Sequence, residues 1–88
     1  MIKVQILGVN GHNSTNSLMN NTLDAIQQMG IIVKLEEVND IDQFLSYDLQ
    51  GIPAIAVNGQ LAFQQTVPGV EDLVQSISSF IQPNKQSA

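Results

Sequence analysis

The hydrophobic pattern of the chain begins with a strand and changes to a helix. Residues 2–7 alternate between apolar and polar side chains, and this period of two predicts a β-strand. Over residues 18–29 the apolar side chains recur instead at the spacing of one helical face. We expect Ser14 or Thr15 to cap the start of this helix, and Gly30 to end it.

The same two periods continue through the middle of the chain. Residues 31–38 alternate again and predict a second strand. Asn39 or Asp40 can then cap a short helix that carries apolar residues between positions 41 and 45.

A hairpin is the clearest local signal in the sequence. Residues 54–57 are apolar on both faces, so we expect them to form an interior strand, with Pro53 at its start. Asn58-Gly59 favours a type I′ turn, and residues 61–64 alternate as a returning edge strand.

A last helix follows Pro68-Gly69 and is expected to stop at Pro83. The element order is therefore β-α-β-α-β-β-α. Because a helix joins the first two strands they should be parallel, whereas the hairpin strands must be antiparallel. The sequence predicts an α/β domain with a mixed four-stranded sheet over residues 1–82, and a flexible tail over residues 83–88.

Composition narrows the possible functions. The chain has 88 residues, no cysteine and a net charge of −5. The absence of a basic patch argues against binding to nucleic acid or to anionic membranes. No apolar run reaches the roughly 20 residues of a transmembrane helix, and the start of the chain lacks the features of a signal peptide. We expect a cytoplasmic protein.

The order of elements, together with the segment "YDLQGIPAIAVNGQL", resembles a known family. The segment spans Tyr47–Leu61, and the similarity covers Ile2 to about Ile81. The chain resembles the small thioredoxin-like, glutaredoxin-like proteins often called redox-active disulfide proteins. The resemblance implies a thioredoxin-like fold and a cis peptide bond at Ile52-Pro53. It also implies that the backbone before this proline can pair with an extended peptide or glutathione.

The family's C-x-x-C motif is missing. Counted back from Leu18, the positions that resemble the family's two cysteines are His12 and Thr15, in the sequence "HNST". Disulfide exchange needs a thiolate and a second thiol, and this chain has neither. We therefore expect no thiol-disulfide oxidoreductase activity, and no catalytic residue is assigned.

Two segments supply the candidate residues for binding a ligand or peptide. They are Gly11, His12, Asn13, Ser14 and Thr15 in the first loop, and Gly51, Ile52 and Pro53 before the interior strand. His12 is either a general acid or base, since imidazole exchanges protons near neutral pH, or a polar loop residue. Ser14 and Thr15 either cap the helix or hold a bound thiolate. A metal site is not expected, because zinc requires three or four ligands.

Three functions are compatible with these residues. The first is a redox-inactive thioredoxin-fold domain that binds an extended peptide or a protein partner, and it needs no cofactor. The second is an enzyme that binds a small thiol such as glutathione, with Ser14 or Thr15 holding the thiolate and His12 assisting. The third is a structural dimerisation module.

Overall fold

The computed structural model describes residues 2–81. The seven elements follow in the predicted order: β1 Ile2–Leu7, α1 Asn13–Met29, β2 Val33–Val38, α2 Ile41–Ser46, β3 Ala54–Val57, β4 Gln60–Gln64 and α3 Val70–Ile81. The predicted helix stop at Pro83 and the predicted tail lie outside the described residues.

The four strands form one mixed sheet in the order β2-β1-β3-β4. Strands β1 and β2 are parallel, whereas β3 is antiparallel to both of its neighbours, β1 and β4. The mixed four-stranded sheet is therefore confirmed, and the apolar strand β3 is an interior strand as predicted. The hairpin leaves β4 at one edge of the sheet, and β2 forms the other.

The β3–β4 hairpin has the predicted turn. Asn58 and Gly59 connect the strands with φ angles of 51° and 84°, and two consecutive positive φ angles define a type I′ turn. The strand pairing shifts register between Ile55 and Ala56. As a consequence, Leu61 packs against one face of the sheet and Phe63 packs against the other.

One face of the sheet is covered by α1 and α3 and contains the main core. Side chains of β1 and β3 alternate, so every second residue reaches this face. The buried members are Val4, Ile6, Leu18, Ala25, Ile55, Val57, Leu73 and Ile77. Burying each of the larger aliphatic side chains stabilises the fold by about 1.5–3 kcal/mol. This layer supplies most of the apolar burial and fixes α1 against the sheet.

The opposite face is covered by the short helix α2 and the loop after it. Its buried cluster consists of Leu7, Val38, Ala54 and Ala56, against which Phe44, Tyr47, Leu49 and Leu61 pack. No residue of α2 itself is buried. Ile41 and Leu45, two of the apolar residues of the predicted short helix, are 68% and 72% exposed. This face is therefore thinly covered.

The start of α1 differs from the prediction. Ser14 and Thr15 do not cap the helix, because both lie inside its first turn. His12 is the N-cap: Gly11, at a φ of 82°, turns the chain so that His12 is extended and its Nδ1 accepts a hydrogen bond from the Ser14 N–H at 3.3 Å. The prediction that Ser14 or Thr15 caps this helix is therefore wrong.

The other helix and strand boundaries agree more closely. Gly30 caps the end of α1, with its N–H 3.0 Å from the carbonyl oxygen of Ile26. Asp40 caps α2 through a 3.0 Å hydrogen bond from the Asp42 N–H. Strand β2 begins two residues later than predicted, at Val33, because this residue pairs with Ile2 at the start of β1.

Candidate functional site

A small groove lies between the start of α1 and the loop that enters β3. Its volume is about 130 Å³, and the residues that line it are Val9, His12, Ser14, Thr15, Ile52 and Pro53. The two segments that the sequence proposed are 36 or more residues apart along the chain, and the fold brings them together at this groove. We call the α1 side the helix wall and residues 50–53 the loop wall.

The helix wall is packed closely against the end of β1. Thr15 is 2% exposed, and a β-carbon built on Gly8 would overlap its hydroxyl oxygen. Glycine at position 8 is thus what allows the helix to start so close to the strand. His12 remains exposed, and the neutral imidazole that accepts at Nδ1 carries its proton on Nε2, which is then a donor.

The loop wall contains a cis peptide bond between Ile52 and Pro53. Pro53 is buried, whereas the Ile52 side chain is 38% exposed. Within residues 2–81 neither the N–H nor the carbonyl oxygen of Ile52 takes part in a backbone-backbone hydrogen bond. The main chain at Ile52 therefore offers one donor and one acceptor beside the groove.

Two glutamines fasten the loop wall: Gln64, the last residue of β4, and Gln65, which follows it. The Gln64 Oε1 accepts from the Gln50 N–H at 2.8 Å, and the Gln65 Nε2 donates to the Gln50 carbonyl oxygen at 3.3 Å. The Gln65 N–H also donates to the Pro53 carbonyl oxygen at 2.9 Å. These hydrogen bonds position the loop without burying much apolar surface.

Five of the eight predicted binding residues line the groove: His12, Ser14, Thr15, Ile52 and Pro53. Gly11, Asn13 and Gly51 are their chain neighbours and do not line it. Val9 also lines the groove and is 51% exposed, and it is not among the eight predicted residues. The sequence feature that could have indicated Val9 is its position as an apolar residue in an otherwise polar loop.

Tyr47 belongs to the cluster on the thinly covered face of the sheet rather than to the groove. Its hydroxyl hydrogen-bonds the Gln5 Oε1, and the Gln5 Nε2 donates to the Glu36 Oε1 at 3.1 Å. The hydrogen bond from Gln5 lowers the pKa of Glu36 below its ordinary value, and Lys3 and Lys34 act in the same direction against the effect of burial. This polar chain anchors the beginning of the segment that leads to the loop wall.

The groove has no ionic character. None of its lining residues is a lysine, arginine, aspartate or glutamate. Lys34 pairs with Glu36 at 3.5 Å on β2. Within residues 2–81 no three histidine or acidic side chains lie close enough together to bind a metal ion. No helix in the same part of the chain is long and apolar enough to cross a membrane.

Comparison with known proteins agrees with this fold. Residues 2–78 match the thioredoxin domain family. The chain is 31% identical over 78 residues to the thioredoxin of Methanothermobacter thermautotrophicus strain Delta H, a match that covers 89% of this chain and 100% of that protein. The chain belongs to the thioredoxin domain family.

A solved structure of a malarial protein shares the thioredoxin-like architecture of this chain. It superposes with a TM-score of 0.70 over 90% of this chain and 96% of that one. At 13% sequence identity this likeness concerns the fold alone. The present thioredoxin-family domain differs from the redox pattern of its family in one decisive respect, because its sequence contains no cysteine. His12 and Thr15, which resemble the family's cysteine positions, both line the groove on its helix wall.

Proposed function

We propose that this protein is a redox-inactive thioredoxin-fold binding module whose groove accepts an extended, uncharged peptide segment. The observation that carries the proposal is the backbone of Ile52, which has no backbone partner within residues 2–81 and lies beside a groove in a chain without cysteine. The cytoplasmic location expected from the sequence remains a prediction.

Main-chain pairing explains how binding can persist without redox chemistry. An extended peptide can add a short strand-like contact when a protein backbone offers a free N–H and a free carbonyl oxygen. Ile52 offers both, and its half-exposed side chain faces the same groove. This form of recognition uses no thiol, so the loss of both cysteines removes the chemistry and leaves the contact.

The size and charge of the groove favour a peptide over a small thiol. Pockets that enclose a small molecule usually measure about 300–1,000 Å³, and this groove measures about 130 Å³. It has room for a side chain or two rather than for a whole ligand. Glutathione carries two carboxylates, and no lysine or arginine lines the groove to pair with them.

The alternative thiol-binding enzyme depends on a hydroxyl that reaches a bound sulfur. Thr15 is 2% exposed, which leaves Ser14, partly exposed in the first turn of α1, as the hydroxyl for that role. The geometry therefore favours the peptide over the thiol.

An amide NMR titration tests the proposal. The probes are an end-capped, uncharged pentapeptide with a central leucine, the same peptide with its central backbone nitrogen methylated, and reduced glutathione. We expect saturable shifts confined to residues 9–15 and 51–54 with the first peptide. The methylated peptide should bind more weakly, because it has lost a main-chain donor.

Two isoleucine variants provide a matched pair. Ile52→Ala removes apolar surface from the groove and should weaken peptide binding about tenfold. Ile32→Ala removes the same atoms from a side chain that is 79% exposed and lies before β2, at the opposite end of β1 from the groove, so affinity should not change. Saturable binding of glutathione without peptide binding would favour the thiol enzyme. If no probe causes chemical-shift changes, both binding functions are contradicted and the structural dimerisation module is the remaining candidate.

A further inference from the structure

The sequence contains two Asn-Gly pairs, at residues 10–11 and 58–59, and all four residues are exposed. An asparagine before glycine is chemically labile because the glycine nitrogen, unhindered by a side chain, can attack the asparagine amide carbon. Whether this happens in a folded protein depends on how firmly the asparagine is held. The two pairs differ sharply in this respect.

Asn58 is restrained by hydrogen bonds of both its backbone and its side chain to Lys3. Its N–H donates to the Lys3 carbonyl oxygen at 2.8 Å, and its side-chain Oδ1 accepts from the Lys3 N–H at 2.9 Å. It also forms the hairpin turn between two paired strands. The amide carbon of Asn58 can reach the Gly59 nitrogen only after the side chain has released Lys3.

Asn10 has no comparable restraint. Within residues 2–81 its side chain makes no hydrogen bond. Two hydrogen bonds hold its loop: the His12 N–H donates to the Val9 carbonyl oxygen at 3.1 Å, and the Asn16 Nδ2 donates to the Gly11 carbonyl oxygen at 3.5 Å. A β-carbon on Gly11 would meet no atom within 4 Å, so space around the attacking residue is open. Neither hydrogen bond involves Asn10 itself, so local opening of this loop releases no contact of the asparagine side chain.

We propose that Asn10 is a site of spontaneous deamidation and isoaspartate formation at the rim of the groove. The Gly11 nitrogen forms a bond to Cγ of Asn10, the bond from Cγ to Nδ2 breaks, and ammonia leaves with the displaced proton. Water then adds to one of the two carbonyl carbons of the five-membered ring and opens it. The product is aspartate or isoaspartate, and no oxidant or reductant takes part.

The modification changes the groove in two ways. Either product places a carboxylate two residues before His12, in a loop that carries no charged side chain between residues 8 and 17. Isoaspartate also inserts one carbon into the backbone ahead of the N-cap. Any effect on peptide binding rests on the proposed function, whereas the modification itself does not.

Incubating the full chain in mildly alkaline buffer, followed by peptide mapping with mass spectrometry, tests the proposal. Deamidation raises the mass of a peptide by one unit, and chromatography separates the isoaspartate form. We expect the folded protein to react at least about tenfold faster at Asn10 than at Asn58. In denaturant the two sites should react at similar rates, because only the fold distinguishes them.

The variant Asn10→Gln is the control and should abolish the early product without altering the rate at Asn58. Equal rates at the two sites in the folded protein, or faster reaction at Asn58, would overturn the proposal. So would an unmodified Asn10 in folded protein whose denatured form reacts. The assay contains no peptide, so its outcome is independent of whether the groove binds one.

Discussion

The two walls of the groove are held in place by different forces. The helix wall belongs to α1, whose Leu18 and Ala25 are completely buried in the main core. The loop wall follows α2, a helix with no buried residue, and is fastened by a hydrogen bond that Gln64 accepts at the end of β4 and by one that Gln65 donates. Unfolding of the helix wall requires unfolding of the main core, whereas the loop wall can open locally.

This difference suggests how the two walls would contribute to the proposed binding of a peptide. In the proposed complex the helix wall would present a fixed surface, and the loop wall would adjust while the backbone of Ile52 pairs with the peptide. Perturbations of the helix wall should therefore change the free energy of unfolding of the whole domain. Perturbations of the loop wall should chiefly change the local opening of residues 50–53.

Truncating the anchor of the helix wall should have the largest effect. Leu18→Ala removes a fully buried side chain and should cost about 2–5 kcal/mol in the free energy of unfolding measured with urea. Leu45→Ala is the matched control, because this leucine is 72% exposed on α2, and its cost should stay within about 0.5 kcal/mol. Similar costs for the two variants would contradict the contrast between the layers.

The helix cap should have a smaller effect. His12→Ala removes the acceptor of the Ser14 N–H and should destabilise the fold by about 0.5–1 kcal/mol. His12→Asp restores an acceptor and places a negative charge at the helix N-terminus, so it should recover this loss. Ser14→Ala should change thermal unfolding little. A larger loss for Ser14→Ala than for His12→Ala would mean that the serine is the cap.

The loop wall should respond locally. Gln64→Ala removes the acceptor of the Gln50 N–H and should cost about 0.5–1.5 kcal/mol. Hydrogen exchange should show the Gln50 amide exchanging up to about tenfold faster, with little change in α1. Gln60→Ala, at the other end of β4, is the control. Faster exchange throughout the domain would show that the two walls are not independent.

Acidification should produce the smallest effect, through Glu36. Because the hydrogen bond from Gln5 lowers the pKa of Glu36 in the folded protein, ionised Glu36 stabilises the fold above the ordinary pKa of glutamate. This contribution is lost as the pH falls through the lowered pKa. The melting temperature of Glu36→Gln should therefore decline less on acidification than that of the natural protein. Glu37→Gln, an exposed neighbour, should not reproduce this change.

The sequence predicts the parts of the structure that depend on local pattern. Alternation in β1, the helical stripe of α1 and the Asn58-Gly59 turn each follow from short-range spacing, and the structure confirms them. The N-cap of α1 is an exception: serine and threonine are stronger cap formers than histidine, so the sequence predicts Ser14 or Thr15 where the structure has His12. The choice of His12 depends on how Gly11 turns the loop.

The structural support of the candidate site could not be predicted in the same way. The hydrogen bonds of the Gln64 and Gln65 side chains with Gln50 depend on the register of the hairpin and on the path of residues 50–53. The link from Tyr47 to Gln5 joins residues 42 positions apart. Such contacts are set by tertiary packing, and no spacing along the chain indicates them.

Hydrogen exchange at the Ile52 amide tests the central claim most directly. In the free protein this N–H has no backbone partner within residues 2–81, and we expect it to exchange rapidly. Saturation with the uncharged pentapeptide should slow its exchange by about tenfold or more, as a main-chain hydrogen bond forms. If the peptide saturates the protein while exchange at Ile52 stays unchanged, recognition through the backbone of the loop wall is contradicted.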